Sequence, residues 1–344
     1  MTERISEEGT AMHAPTLAQW VGNPDEFLIS YWNNRPGVFQ PAGGGYSSFT
    51  LADLDAAIST EFFREPYVEM WDGDKLPTRK FTTARTVARS TPGGFADTRK
   101  IRELLDKGAT LLLRCVDQWH APTRTLLVSL AEELGRHVEA FFFVTPAGRQ
   151  GLPLHRDDAD VLVVQVAGSK TWHIHEGPTD ENWHAGRVTE QDGPRPAEIL
   201  RTTLHAGDVL YVPRGFAHWA SADEGLSAHL SLTVREVGAP DLADTLRDLL
   251  AEELRLPERP LGEDALTATA ARLLAHTTER LAALTPQELV SRARGRGRAG
   301  MPSEPEAASF AELAARWETP RTADTSPHAP RPALSQDSTG RGAV

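Results

Sequence analysis

The sequence predicts a mainly β protein with α-helices at both ends, its centre an antiparallel sandwich or barrel of short strands. Three observations carry that prediction. Apolar runs of strand length recur at 138–145, 160–167, 170–175, 208–212 and 226–235. Gly- and Pro-rich stretches at 146–153, 177–197 and 213–217 punctuate them. Val161-Leu162-Val163-Val164 is apolar on both faces, which suits a strand enclosed between two layers.

In chain order, residues 1–13 read as a flexible tail. From Thr16 a helical pattern places Leu17, Trp20 and Val21 on one face, followed by a second helix carrying Phe27, Leu28, Tyr31 and Trp32. Thr50 precedes an amphipathic run and marks another helix start. Residues 67–100 mix a short strand, Tyr67 to Met70, with polar and Gly/Pro-rich loop. Lys107-Gly108 breaks a helix before the strand Thr110 to Leu113, and Gly135 closes a helix over Arg124 to Leu134. Ala167-Gly168-Ser169-Lys170 reads as the turn of a hairpin returning through Thr171 to Ile174.

After Pro240 the character changes. Asp241 to Leu254 and Asp264 to Leu284 are helical, with Leu242, Leu246, Leu249 and Leu250 at helix spacing. This pair is either a homodimerisation element or a cover for its own sheet. From Gly295 the chain is Arg/Gly-rich, then Pro/Ser/Thr-rich to Val344, a composition of disorder, with one short helix expected at 309–317. The expected organisation is a tail (1–13), a β-rich domain (14–240), a helical appendage (241–294) and a disordered tail (295–344).

A chain of 344 residues, 40% hydrophobic, has room for one large domain plus an accessory region. The formal net charge of -12 argues against general affinity for nucleic acid or anionic lipid, while leaving a cationic protein or peptide as partner. The Arg-rich stretch 292–298 is too short to overturn that. Cys115 is the single cysteine, which excludes an intrachain disulfide and a thiolate cluster; within its apolar run it reads as a buried inert thiol. No apolar stretch approaches the ~20 residues of a membrane span. The acidic start, Met1 to Glu8, has no signal-peptide core, so a cytoplasmic location is expected.

The chemistry concentrates in His155-Arg156-Asp157 and, much later, His218 at the end of Gly207-Asp208-Val209-Leu210-Tyr211-Val212-Pro213-Arg214-Gly215-Phe216-Ala217-His218. Alternate residues of an extended segment point the same way, so His155 and Asp157 can share one ion while Arg156 faces elsewhere. Two imidazoles and a carboxylate occupy one face of a divalent iron and leave the other open, as in non-haem Fe(II) oxygenases. The plainer readings are a surface histidine, an acidic loop with Asp158 and Asp160, a loop-end His218 beside Trp219, and a solvated turn lysine at Lys170. Trp172 reads as wall or core. His173 and His175 are expected to face solvent, so that with His184 they form no second metal site. Arg149 and Arg214, at the presumed mouth, are substrate contacts or solvated charges. The triplet also spells a kinase motif, but no glycine-rich phosphate loop precedes it.

Three stretches together resemble the cupin-type JmjC oxygenases of the ribosomal-oxygenase group: Thr145 to Asp158, which enters the metal motif; Asp160 to Trp172, the segment after it; and Gly207 to His218. Ser227 to Leu232 is similar to the strand that follows in relatives. The resemblance covers roughly residues 16–240. It implies a double-stranded β-helix (jelly-roll, cupin) core, with His155, Asp157 and His218 as metal ligands and catalytic residues. It also implies Fe(II), 2-oxoglutarate and O2 as cofactor and co-substrates, and hydroxylation of a protein or peptide side chain with release of succinate and CO2. Lys170 stands where such enzymes hold the distal carboxylate of 2-oxoglutarate. Relatives often carry Asn and Tyr on the strand before the Pro/Gly loop; here that strand is Ala140-Phe141-Phe142-Phe143-Val144, so those hydrogen bonds are either missing or come from elsewhere, with Thr145, His229 or Ser231 as the candidates to substitute. Two other functions compete: a cupin metalloenzyme without 2-oxoglutarate (isomerase or lyase), which needs no cation at Lys170, and a non-enzymatic peptide-binding module, which needs no ligand set.

Overall fold

Strands whose alternate side chains face two different cores organise this molecule. The computed structural model describes residues 16–302 except 61 and 87; the two tails at 1–13 and 303–344, and the helix expected at 309–317, lie outside the described residues. The N-terminal half forms α1 (Ala18–Val21), α2 (Pro24–Ser30), strand β1 (Gly37–Phe39), α3 (Leu51–Ser59), β2 (Val68–Asp72), β3 (Asp74–Lys75), β4 (Thr82–Thr83), β5 (Phe95–Ala96), α4 (Thr98–Asp106), β6 (Thr110–Leu113), α5 (Val116–Trp119) and α6 (Ala121–Leu134). Then follow β7 (His137–Thr145), β8 (His155–Arg156), β9 (Asp160–Ala167), β10 (Ser169–His175), β11 (Gly186–Arg187), β12 (Glu198–His205), β13 (Val209–Val212), β14 (Ala217–Ala222) and β15 (Ser227–Arg235). Three helices close the described chain: α7 (Ala239–Ala251), α8 (Glu263–Ala283) and α9 (Pro286–Ala299).

Local chemistry starts the helices where the sequence places them. The Asn23 side chain accepts from the Glu26 amide with Pro24 in the first helical turn of α2. Thr50 and Asp53 form a reciprocal capping box on α3. Gly135, in the left-handed region, ends α6.

The large sheet runs β1-β13-β9-β15-β7-β6-β2-β3 and the small one β11-β8-β14-β10-β12, antiparallel throughout. Along β9, Leu162 and Val164 join the main core with Trp20, Phe27, Phe49 and Leu127 of the N-terminal segments. Val161 and Val163 point the other way, into a second core with Trp172, Ile174, Leu210 and Val212 between the sheets. This is the jelly-roll arrangement.

Several expectations are corrected. The 167–170 turn makes no hairpin: β9 pairs with β13 and β15, whereas β10 pairs with β12 and β14, so the turn is a corner that carries the chain from one sheet to the other. Gly168 has φ +63° there, and a Cβ would lie 2.1 Å from the Leu226 carbonyl oxygen, so only glycine fits. Residues 198–205, left unassigned by pattern, are the edge strand β12; its side chains are mostly exposed, with Leu204 the one buried, so no apolar alternation marked it. His218 sits on strand β14 rather than in a loop. His173 and His175 are buried, not solvated. Helix α9 continues through the Arg/Gly run to Ala299. Tertiary partners hold it: Arg294 on Glu236 (2.9 and 2.7 Å), Arg296 on Asp248 (2.9 Å), and His137 Nδ1 on the Gly297 carbonyl (2.8 Å).

Candidate active site

β8 and β14 pair so that His155 and His218 stand opposite one another, ring centroids 4.3 Å apart. Each imidazole donates its Nδ1–H to a nearby carbonyl, His155 to Pro153 (2.8 Å) and His218 to Phe216 (3.0 Å). That sets the tautomer and leaves both Nε2 atoms as bare acceptors. Asp157, one residue beyond β8, places Oδ1 3.7 Å from His155 Nε2 and Oδ2 3.5 Å from His218 Nε2. The three donor atoms lie within 4.8 Å of one another, close enough to meet one cation at bonds of about 2 Å after small side-chain adjustment. Burial, and then the neighbouring His155, pushes the His218 imidazole down to about 4, so it is neutral at physiological pH, the form that binds metal.

Backbone contacts hold the donors in place. The Gly215 amide donates to the Asp157 carbonyl (3.0 Å), and Arg156, facing away from the donors, donates to the carbonyls of Glu176 (3.0 Å) and Gly215. The turn that leads into β14 is thereby tied to the strand that presents His155. Trp219, beside His218, stacks on His173 (3.9 Å, 6° between planes) on the sheet's other side, and His173 Nδ1 lies 2.6 Å from Glu198. His175 Nδ1 bonds the Pro196 carbonyl (2.9 Å). Neither of these two histidines belongs to the donor set.

The donors open into a cavity of about 200 Å3. Its floor comes from alternation along β15, which presents His229, Ser231, Thr233 and Arg235 on one face, with Phe141 and Phe143 from β7 beside them. At the closed end Lys170 is 2% exposed. Its Nζ donates to Thr145 Oγ1 (3.1 Å), which also accepts from Thr110 (3.3 Å). No carboxylate pairs with Lys170 among the described residues, and burial pushes its ammonium down to about 7. The backbone of Gly151 crosses so close that a Cβ there would meet Nζ at 3.3 Å. His229 stacks on Phe143 (4.8 Å, 8°), sets its edge toward Trp172 (5.4 Å, 75°), and leaves Nδ1 buried without a partner. Burial, and then the charge of Lys170, holds it well below the usual imidazole range. Ser231 lines the same wall, and Trp172 is buried cavity wall as expected.

Of the seven ligand and co-substrate residues named from the sequence, His155, Asp157, Lys170, His218, His229 and Ser231 line this one cavity, and Thr145 meets it through its hydrogen bond from Lys170. Arg149 and Arg214 do not: Arg149 reaches the Lys107 carbonyl, and Arg214 pairs with Asp158 at 2.6 Å. Two arginines that do line the cavity, Arg114 and Arg235, escaped the sequence reading, as did Trp71 and Phe141. Counting by twos from His229 along its strand would have found Arg235. Cys115 is half-buried rather than buried, and burial together with Glu139 pushes its thiol up to about 11, leaving it unreactive.

Residues 116–242 match the JmjC domain family. The chain is 28% identical to human ribosomal oxygenase 1 over 215 residues, covering 61% of this chain and 32% of that protein. It is 34% identical to mouse ribosomal oxygenase 2 over 241 residues, covering 66% and 48% respectively. The chain therefore spans a third to a half of the length of these curated relatives. Among solved structures it is similar to YcfD, a ribosomal oxygenase from Escherichia coli, in complex with cobalt and 2-oxoglutarate (TM-score 0.48, 17% identity, 76% of this chain and 70% of that one). The jelly-roll core, the JmjC domain match over residues 116–242 and these relatives make the chain similar to ribosomal-oxygenase-like JmjC proteins.

Proposed function

We propose that this protein is an Fe(II)- and 2-oxoglutarate-dependent dioxygenase that hydroxylates a side chain of a protein or peptide, releasing succinate and CO2. The observation that carries the reading is the pairing of two features in one cavity: three convergent donors, and at the closed end a buried lysine without a carboxylate partner. His155, Asp157 and His218 would hold the metal, and the donor chemistry fits Fe(II). Once bound, the metal supplies oxidative decarboxylation of the co-substrate and hydroxylation of a nearby C–H bond. Lys170 and Thr145 would fix the distal carboxylate of 2-oxoglutarate, the ammonium regaining in that ion pair what burial costs it. His229 and Ser231 stand in for the Asn and Tyr of relatives, His229 by its unpartnered Nδ1. The apolar wall of Phe141, Phe143, Val161, Val163 and Trp172 excludes water from the reacting groups.

A cupin without 2-oxoglutarate has no use for a buried cation held by a hydroxyl and no carboxylate, and a binding module has none for three convergent donors. The deciding measurement is succinate formed by purified protein with Fe(II), 2-oxoglutarate and ribosomal-protein peptides, compared with His218→Ala. No 2-oxoglutarate binding to Mn(II)-loaded protein would sink the proposal.

The oxygenase domain comprises residues 14–240 in this reading, with the helical appendage reaching Ala299. We propose that the appendage pairs with a second copy: α8 buries no residue, and Leu266, Leu273, Leu274 and Leu281 stay exposed along it. Sedimentation velocity on wild type and on Leu274→Glu tests this, a wild-type monomer ruling it out. A cytoplasmic location belongs to the same proposal, supported by the acidic balance and the single cysteine.

A further inference from the structure

The open end of the cavity is cationic, in a chain whose formal net charge is -12. From His229 to Arg235 the strand spans about 20 Å, so Arg235 lies far from the lysine end. Arg235 and Arg114 both line the cavity, and their side chains are 41% and 39% exposed. Arg235 is braced by Glu139, whose Oε2 accepts from Nε (2.9 Å) and Nη2 (2.8 Å), leaving Nη1 free of that pair. Arg114 lies over the Phe141 ring, Cζ 5.3 Å from its centroid. Its one carboxylate contact is a long 3.4 Å approach of Nη1 to Glu69. Glu69 is already engaged by Lys75 (2.7 Å) and by the Trp71 indole (3.1 Å). Among the described residues, Arg114 Nε and Nη2 meet no acceptor. Two oriented guanidinium groups with donors to spare thus border one opening.

Resting on the oxygenase reading, we infer that Arg114 and Arg235 bind a carboxylate of the peptide substrate next to the side chain that enters the cavity, and that the entering side chain is neither lysine nor arginine. A guanidinium fork matches a carboxylate with paired N–H donors, which a backbone carbonyl uses only in part. Its bracing on Glu139 and on the Phe141 ring lowers the cost of ordering it for a ligand. Like charge at the opening disfavours a cationic side chain passing between the two, a repulsive element that sharpens specificity. Trp71 and Phe141 supply flat apolar walls for an uncharged one. The carboxylate comes from an aspartate or glutamate side chain or from a chain terminus, and both sources present the same two oxygens.

The test uses the 344-residue chain loaded with Mn(II) and 2-oxoglutarate under anaerobic conditions. A random dodecapeptide library is panned in two forms, with free and with amidated C-termini. Titration of 2-oxoglutarate into the same Mn(II)-loaded wild type is run first; absence of binding there overturns the underlying oxygenase reading, whatever the library shows. With co-substrate bound, retained amidated peptides are expected to be enriched in Asp or Glu within three positions of an uncharged residue. Enrichment confined to free C-termini assigns the terminal carboxylate instead. Arg114→Gln and Arg235→Gln should each weaken the selected peptides at least tenfold, and Arg114→Lys should recover only part of that. Enrichment of Lys or Arg, no enrichment at all, or equal retention by both glutamine variants overturns the assignment.

Discussion

The two ends of the cavity both carry cations, and they treat them in opposite ways. Lys170 is buried with a hydroxyl and no carboxylate, whereas Arg235 and Arg114 are partly exposed and each touches a glutamate. Glu139 illustrates the second arrangement. Burial pushes its carboxyl up, but the hydrogen bond to His137 and the charge of Arg235 outweigh that and hold it at about 2. A cation braced by its own carboxylate is positioned by the fold. A buried one without such a partner is destabilising until an anion arrives, whereas a braced, partly exposed one keeps its spare donors for a ligand at little cost.

Four experiments break or sharpen this contrast. The largest effect is expected from Asp157→Ala, which removes the one charged donor. Mn(II) affinity should fall by two orders of magnitude or more, read by electron paramagnetic resonance of free Mn(II); near-normal affinity would mean that the donors do not share an ion. Next, Lys170→Ala leaves the anion without its partner, a loss of roughly 3–5 kcal/mol. Calorimetry should show 2-oxoglutarate affinity down by at least a hundredfold with Mn(II) affinity little changed.

Third is pH. Burial lowers Lys170 from the ordinary 10.5 to about 7 without an anion, and a bound dianion must raise it again. Below pH 7 the ammonium is charged in both states, so 2-oxoglutarate affinity should be flat. Above it, binding must take up a proton, and affinity should drop toward tenfold per pH unit. Titrations at pH 8.5 in buffers of different ionisation enthalpy should report close to one proton bound; none bound would remove Lys170 from the binding of 2-oxoglutarate. The smallest effect belongs to the open end. Glu139→Gln breaks a partly exposed pair of a kind that contributes about 0–1 kcal/mol, so the thermal midpoint should move by only a few degrees.

Chemistry local to a few residues was legible from the sequence. Alternating or continuous apolarity marked β7, β9, β10, β13 and β15 within a residue or two, because side-chain direction in an extended chain repeats every second residue, while the exposed β12 went unmarked. Caps at Thr50 and Gly135 could be placed for the same local reason. The HxD spacing and the distant His218 named the donors, and resemblance named Lys170. Whether these met was for the fold to decide: β8 and β14 pair only because the corner at Gly168 sends β10 into the small sheet, where β10 lies beside β14. The same corner buried His173 and His175, since a strand's period records two faces but not what covers each of them. Arg114 and Arg235 became neighbours of one cavity through the pairing of β6 and β15 on either side of β7, and α9 kept its helix through an Arg/Gly run because Glu236 and Asp248 were waiting for its arginines. Local sequence sets which side chains share a face; only the closing of one sheet over another decides which of those faces become a site.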